Sequence, residues 1–100
     1  MEAKYYIKNP VIVEATQLKN DFYYIKNCFE FVFGKSMKLD DILAIQKNNG
    51  MDIETLNGIQ HVSWGDYIVK DVKKGFRIYK QEIFEKNYRE ENIAKYYGGI

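Results

Sequence analysis

The sequence predicts an α+β fold: a small twisted antiparallel sheet, or partly open barrel, of about five strands packed against one main helix. Three observations lead there. A β-branched run near the N-terminus alternates with period two. A run in the first third has helical spacing and a stop signal at each end. From residue 51 onward, short alternating runs are separated by turn residues. The chain has 100 residues, a size suited to a single domain spanning 1–100. No repeat, linker or low-complexity stretch divides it.

Pro10 sets an extended approach to the first strand. In Val11-Ile12-Val13-Glu14-Ala15-Thr16-Gln17-Leu18, the residues Val11, Val13 and Ala15 point one way, and Ile12, Glu14 and Thr16 the other. Asn20 or Asp21 then offers a helix N-cap. Phe22, Ile25, Phe29 and Val32 recur at helical spacing with Cys28 and Phe33 beside them, and Gly34 ends the helix in the left-handed conformation. Between Ser36 and Gln46, the apolar residues Met37, Leu39, Ile42, Leu43 and Ile45 fit either a strand or a short second helix. Met51 to Leu56 alternates cleanly. Asn57-Gly58 tolerates positive φ, which predicts a hairpin returning through Ile59 to Ser63. Trp64-Gly65-Asp66 reads as a turn, Tyr67 to Lys70 as a strand, Asp71 to Gly75 as a loop, and Phe76 to Lys80 as the returning strand. Gln81 to Tyr88 suits a short helix packing Ile83, Phe84 and Tyr88. The polar stretch from Arg89 to Ile100 either frays or extends that helix as far as Tyr97.

Composition narrows the function. Aromatic residues make up 16%, with nine Tyr and six Phe, enough ring area to fill a small core. The net charge of +1 lacks the basic excess of a duplex-DNA binder. One Cys cannot form an internal disulfide, in keeping with a reducing compartment. No apolar run approaches the roughly 20 residues of a membrane span, and the first residues do not build a signal peptide.

Two blocks resemble a group of short phage and prophage proteins of unknown function. The first is Lys8, Pro10, Val11, Val13, Glu14 and Ala15. The second is Gly65-Asp66-Tyr67-Ile68-Val69-Lys70, then Phe76, then Ile83-Phe84-Glu85 with Tyr88. The chain departs from the group at Trp64, where the group often has Pro. It departs again at Lys80, Gln81 and Glu82, where Cys and Pro are frequent, and its stretch from Lys35 to Met51 looks longer than usual. The resemblance implies phage origin and a bacterial host cytoplasm as location; it carries over no catalytic residue.

The candidate sites follow from residue chemistry. With His61 as the one histidine, a site using several His is excluded within one chain. His61 itself reads as a polar strand position, and Cys28, among aromatic neighbours, as a small buried hydrophobe. Asp40 and Asp41, with Asp52 and Glu54, are the best carboxylate group for a divalent cation or acid–base work, but Asp40 and Asp41 better suit a cap or turn, and Asp52 and Glu54 the solvent face of a strand. Lys70, Lys73, Lys74, Arg77 and Lys80 cluster on one hairpin, interleaved with Tyr67, Phe76 and Tyr79. That pattern suits either a single-stranded nucleic acid or an edge hairpin whose lysines block strand pairing. Tyr5, Tyr6, Tyr23, Tyr24, Tyr96 and Tyr97 come in adjacent pairs. Neighbours on one element cannot both face the core, so some rings are interface candidates and others rim residues, with Tyr23 and Tyr24 first among them.

These features predict a non-catalytic binding protein without cofactor or metal that blocks a host protein by steric cover. A defence nuclease, as for an anti-CRISPR protein, is the concrete case. A nucleic-acid or nucleotide-binding module is the alternative, and homo-oligomerisation stays open.

Overall fold

In the computed structural model the described residues are 3–8, 11–71 and 75–90. Pro10, Lys73, Lys74, Tyr96 and Tyr97 lie outside them, as does the tail beyond Glu90. Strand β1 (Lys4–Lys8) pairs antiparallel with β2 (Val11–Gln17). Both faces of β2 are covered, so its apolar residues fall on both sides of the strand. Helix α1 (Phe22–Phe33) follows, capped by the Asp21 carboxylate, which accepts from the Tyr23 N–H at 2.9 Å, and ended by Gly34 at φ 67°. Helix α2 (Leu39–Lys47) comes next. The hairpin β3 (Gly50–Thr55) and β4 (Gly58–Ser63) forms a two-stranded sheet of its own. Strands β5 (Tyr67–Asp71) and β6 (Gly75–Tyr79), helix α3 (Gln81–Asn87) and the two-residue β7 (Arg89–Glu90) complete the order.

The larger sheet runs β6-β5-β2-β1-β7, and its described pairings are all antiparallel. The fold is therefore α+β with an open sheet, as the segregation of strands predicts. Residues directly opposite across a strand pair share a face. Thr16 and Ile68 thus lie under α1, and Ala15, Val69 and Tyr6 on the opposite face with α3. The main core, on the α1 face, joins Leu18, Ile25, Cys28, Phe29, Phe31 and Ile68 to Met51, Ile53 and Val62 of the small sheet. A second, aromatic core on the other face gathers Ala15, Tyr67, Val69 and Phe84, with Tyr6, Tyr79 and Tyr88 around it.

The structure departs from several expectations. Phe22 is 53% exposed, while Phe31, outside the expected stripe, is buried. The expected spacing runs along one edge of the helix, and the contact with two sheets recruits the neighbouring row. The ambiguous stretch becomes helix, because Asp41 accepts from the Lys38 N–H at 2.9 Å and starts the turn. The Asn57-Gly58 hairpin is shifted by one residue: Thr55 pairs with Gly58, so Leu56 and Asn57 form the loop. Positive φ falls on Gly58 at 94° and not on Asn57, the pattern of a turn closed by a bulge glycine. Ile83 is exposed; Phe84 alone of the α3 residues is buried, since seven residues offer one inward position. Asp71 and Gly75 are paired strand residues rather than loop. Arg89 and Glu90 pair with Ile7 and Tyr6 and do not continue α3.

Candidate functional site

The turn before β5 fixes one end of the sheet. Gly65, at φ 96°, donates its N–H to the Leu18 carbonyl at 2.6 Å, and the Leu18 N–H donates to the Asp66 carbonyl at 2.9 Å. Asp66 is 3% exposed; its carboxylate accepts from the Ser63 N–H at 3.0 Å and from Lys80 Nζ at 3.3 Å. The Gln17 side-chain amide donates to the Gly65 carbonyl at 3.0 Å. The residues where β2 leaves the sheet are thereby stitched to those where β5 enters, and α1 starts from that anchored corner.

A groove of about 340 Å³ opens at this corner. Tyr23, Tyr24 and Asn27 of α1 form one wall, and Lys4, Tyr6, Gln17 and Tyr67 of the sheet the other, with Ala15 and Thr16 between. The helical spacing of three and four residues puts Tyr23, Tyr24 and Asn27 on one strip. Three of the four nominated tyrosines therefore converge. Tyr23 is 49% exposed, and its ring meets Tyr24 edge-on at 5.9 Å. Lys19 Nζ lies 4.9 Å over the Tyr24 ring, a cation–π contact. Tyr6 is half-buried and meets Tyr67 edge-on at 5.9 Å and Phe84 at 4.8 Å. Tyr5 is exposed on the α1 face, opposite Glu14, and does not line the groove. The Tyr67 hydroxyl donates to Glu85 at 2.7 Å. Burial first, then that hydrogen bond, hold the phenol above its ordinary range, so it stays neutral.

The hairpin cations separate. Lys70 is directly opposite Phe76, and Arg77 directly opposite Val69. Lys70 and Arg77 thus project from opposite faces, Lys70 across from Glu14. Lys80 is engaged by Asp66. Arg77 and Tyr79 share the α3 face with Tyr88. The hydrogen bond to Tyr79 pushes the guanidinium pKa up, and burial and then Tyr79 do the same for the Tyr88 phenol. The described members of the set do not form one basic surface.

His61 has a partner that the sequence did not suggest. Its Nδ1 lies 2.7 Å from Asp52 Oδ1 across the β3–β4 ladder, on the solvent side. The period-two alternation places both residues on the same outer face, which is the signal that finds the pair. Among the described residues, no three His, Cys, Asp or Glu side chains gather as a metal site would require.

Cys28 is fully buried, and its thiol donates to Thr16 Oγ1 at 3.7 Å. Desolvation pushes its pKa from 9.0 up to about 12, against a small downward pull from Thr16. Only the thiolate reacts. At pH 8 a thiol reagent is expected to leave native Cys28 unmodified for as long as the chain stays folded and to titrate one thiol in denaturant; fast labelling of the native chain would refute this. The raised native pKa also means that the unfolded chain loses this proton first. The Cys28 contribution to stability is full below pH 9.0 and falls as pH climbs towards about 12; the melting temperature declines over that range, less steeply in Cys28→Ala, where the raised Tyr67 and Tyr88 phenols still contribute.

No family model, curated protein or solved structure matches the chain. No described helix is long and apolar enough to cross a membrane.

Proposed function

We propose that the chain is a phage-encoded binding protein that acts without catalysis, covering a functional surface of a bacterial host protein in the host cytoplasm. A defence nuclease, blocked as by an anti-CRISPR protein, is the concrete target class. One observation carries the reading: at the start of α1, Phe22 and Tyr23 expose 53% and 49% of their surface, with Tyr24 beside them. Exposed rings on a capped helix are rigid, large contact groups that lose little entropy on binding. The division of Lys70 from Arg77 between two faces favours this reading over single-stranded nucleic acid gripped by the hairpin.

The test is affinity capture of the tagged full chain from host lysates, beside a nuclease-interference assay in cells. A stoichiometric protein partner is expected, with Tyr23→Ala weakening capture about tenfold or more, the scale of an interface hot spot. The absence of any stable partner across several hosts, or capture that is indifferent to Tyr23, overturns the reading.

A further inference from the structure

The groove at the sheet corner contains one group that the fold itself does not use. Asn27 is 5% exposed, yet no hydrogen bond to its side chain is found among the described residues. Its amide atoms are not sealed in the interior, since no fully buried side-chain polar atom lacks a partner. The opening they reach is the groove that Asn27 lines. An amide that is open to the groove and takes no protein partner keeps its donor and acceptor available to a guest that displaces water. A ligand in the groove supplies what the protein does not.

The surrounding residues define the ligand. An asparagine amide presents a donor and an acceptor side by side, the complement of the amino group and ring nitrogen on one edge of adenine. The rings of Tyr6, Tyr23, Tyr24 and Tyr67 line parts of the same, largely polar space, which suits a planar base with polar edges. Lys4 lines the groove, Lys19 sits against Tyr24, and no carboxylate is among the lining residues. Two ammonium groups therefore border the space, and an anionic group is favoured beside them. The volume of about 340 Å³ falls at the small end of the roughly 300–1,000 Å³ typical of ligand sites, which limits the occupant to one nucleotide.

We propose that this groove binds a free adenine mononucleotide, its base edge on the Asn27 amide, its ring among the tyrosines and its phosphate towards Lys4 and Lys19. The two readings share Tyr23, but the protein contact depends on the outer rings of Phe22 and Tyr23 and the nucleotide on the Asn27 amide, so a change at Asn27 separates them.

The experiment titrates AMP into the ¹⁵N-labelled full chain while following the Asn27 side-chain amide, with calorimetry for affinity. A saturable shift of that amide is expected. Asn27→Leu keeps the outer rings and is expected to weaken AMP about tenfold or more, the scale of one bidentate base contact, while leaving capture of a protein partner intact. Lys4→Glu, a change at an exposed position, is expected to weaken AMP severalfold but leave adenosine unaffected. An unmoved Asn27 amide at millimolar AMP, wild-type affinity in Asn27→Leu, or GMP bound as well as AMP each overturns the proposal. Oligoadenylate bound more tightly than AMP overturns the free-nucleotide assignment in favour of a strand.

Discussion

Gly50→Ala is expected to destabilise the chain by about 3–5 kcal/mol, combining backbone strain at positive φ with overpacking against fixed atoms. Gly50 joins α2 to β3. After Asn48 ends the helix, Asn49 turns at φ 54° and Gly50 at φ 144°. The space where a Cβ would sit is taken by the Val62 carbonyl oxygen, and His61 Nε2 stands 2.8 Å away. The imidazole can swing aside, but the Val62 carbonyl belongs to β4, and moving it opens the β3–β4 ladder. Gly34 is the control. It has φ 67° and nothing within 4 Å of a built Cβ, so Gly34→Ala costs only the left-handed conformation, about 1–2 kcal/mol. Urea denaturation of both variants checks the difference. Equal losses would show that crowding at Gly50 has no part in the effect.

Phe84→Ala is expected to cost about 3–5 kcal/mol, a large share of the roughly 5–15 kcal/mol that holds a domain of this size. Phe84 is fully buried and is the one α3 residue that reaches the sheet core. Its ring stacks on Tyr67 at 4.1 Å and on Tyr88 at 4.7 Å, with Tyr6 edge-on at 4.8 Å. Truncation leaves a void bordered by these rings and removes the apolar anchor of α3, leaving the Tyr67–Glu85 hydrogen bond to hold it. The near-UV circular dichroism of the tyrosines is expected to fall in proportion. Cys28, in the core on the other face, stays shielded from thiol reagents until global unfolding. A loss below about 1 kcal/mol, the size of a surface change, would mean that α3 does not depend on this ring.

The parts of the fold that the sequence makes legible are those where one local signal suffices. Asp21 and Gly34 bracket α1 because a capping carboxylate and a left-handed glycine act within a few residues. Strand β2 is readable because Val11, Ile12, Val13 and Thr16 make it rich in β-branched residues. Strand β1 is less so: Lys4-Tyr5-Tyr6-Ile7-Lys8 has no polar–apolar alternation, since Tyr6 faces the aromatic core while Tyr5 is exposed. Helix α2 is ambiguous for the opposite reason. Leu39 and Leu43 are exposed and only Ile45 is buried, so its apolar residues do not trace a face. At the candidate site, the tyrosines are visible as pairs, but their convergence is not. Lys4, Gln17 and Tyr67 are brought together by the pairing of β1 with β2 and of β2 with β5, and Asn27 by the packing of α1 on the sheet, and no sequence window spans them. Asn27 carries no signal at all in the sequence, where a polar residue in mid-helix suggests solvent.

The stitching of Leu18 to Gly65 and Asp66 has a kinetic corollary. Because two backbone bonds of Leu18, with the Gln17 amide on the Gly65 carbonyl, lock the corner before anything arrives, its sheet wall does not have to close around a guest. Association there should be a single-step process, its observed rate rising linearly with guest concentration and without a plateau.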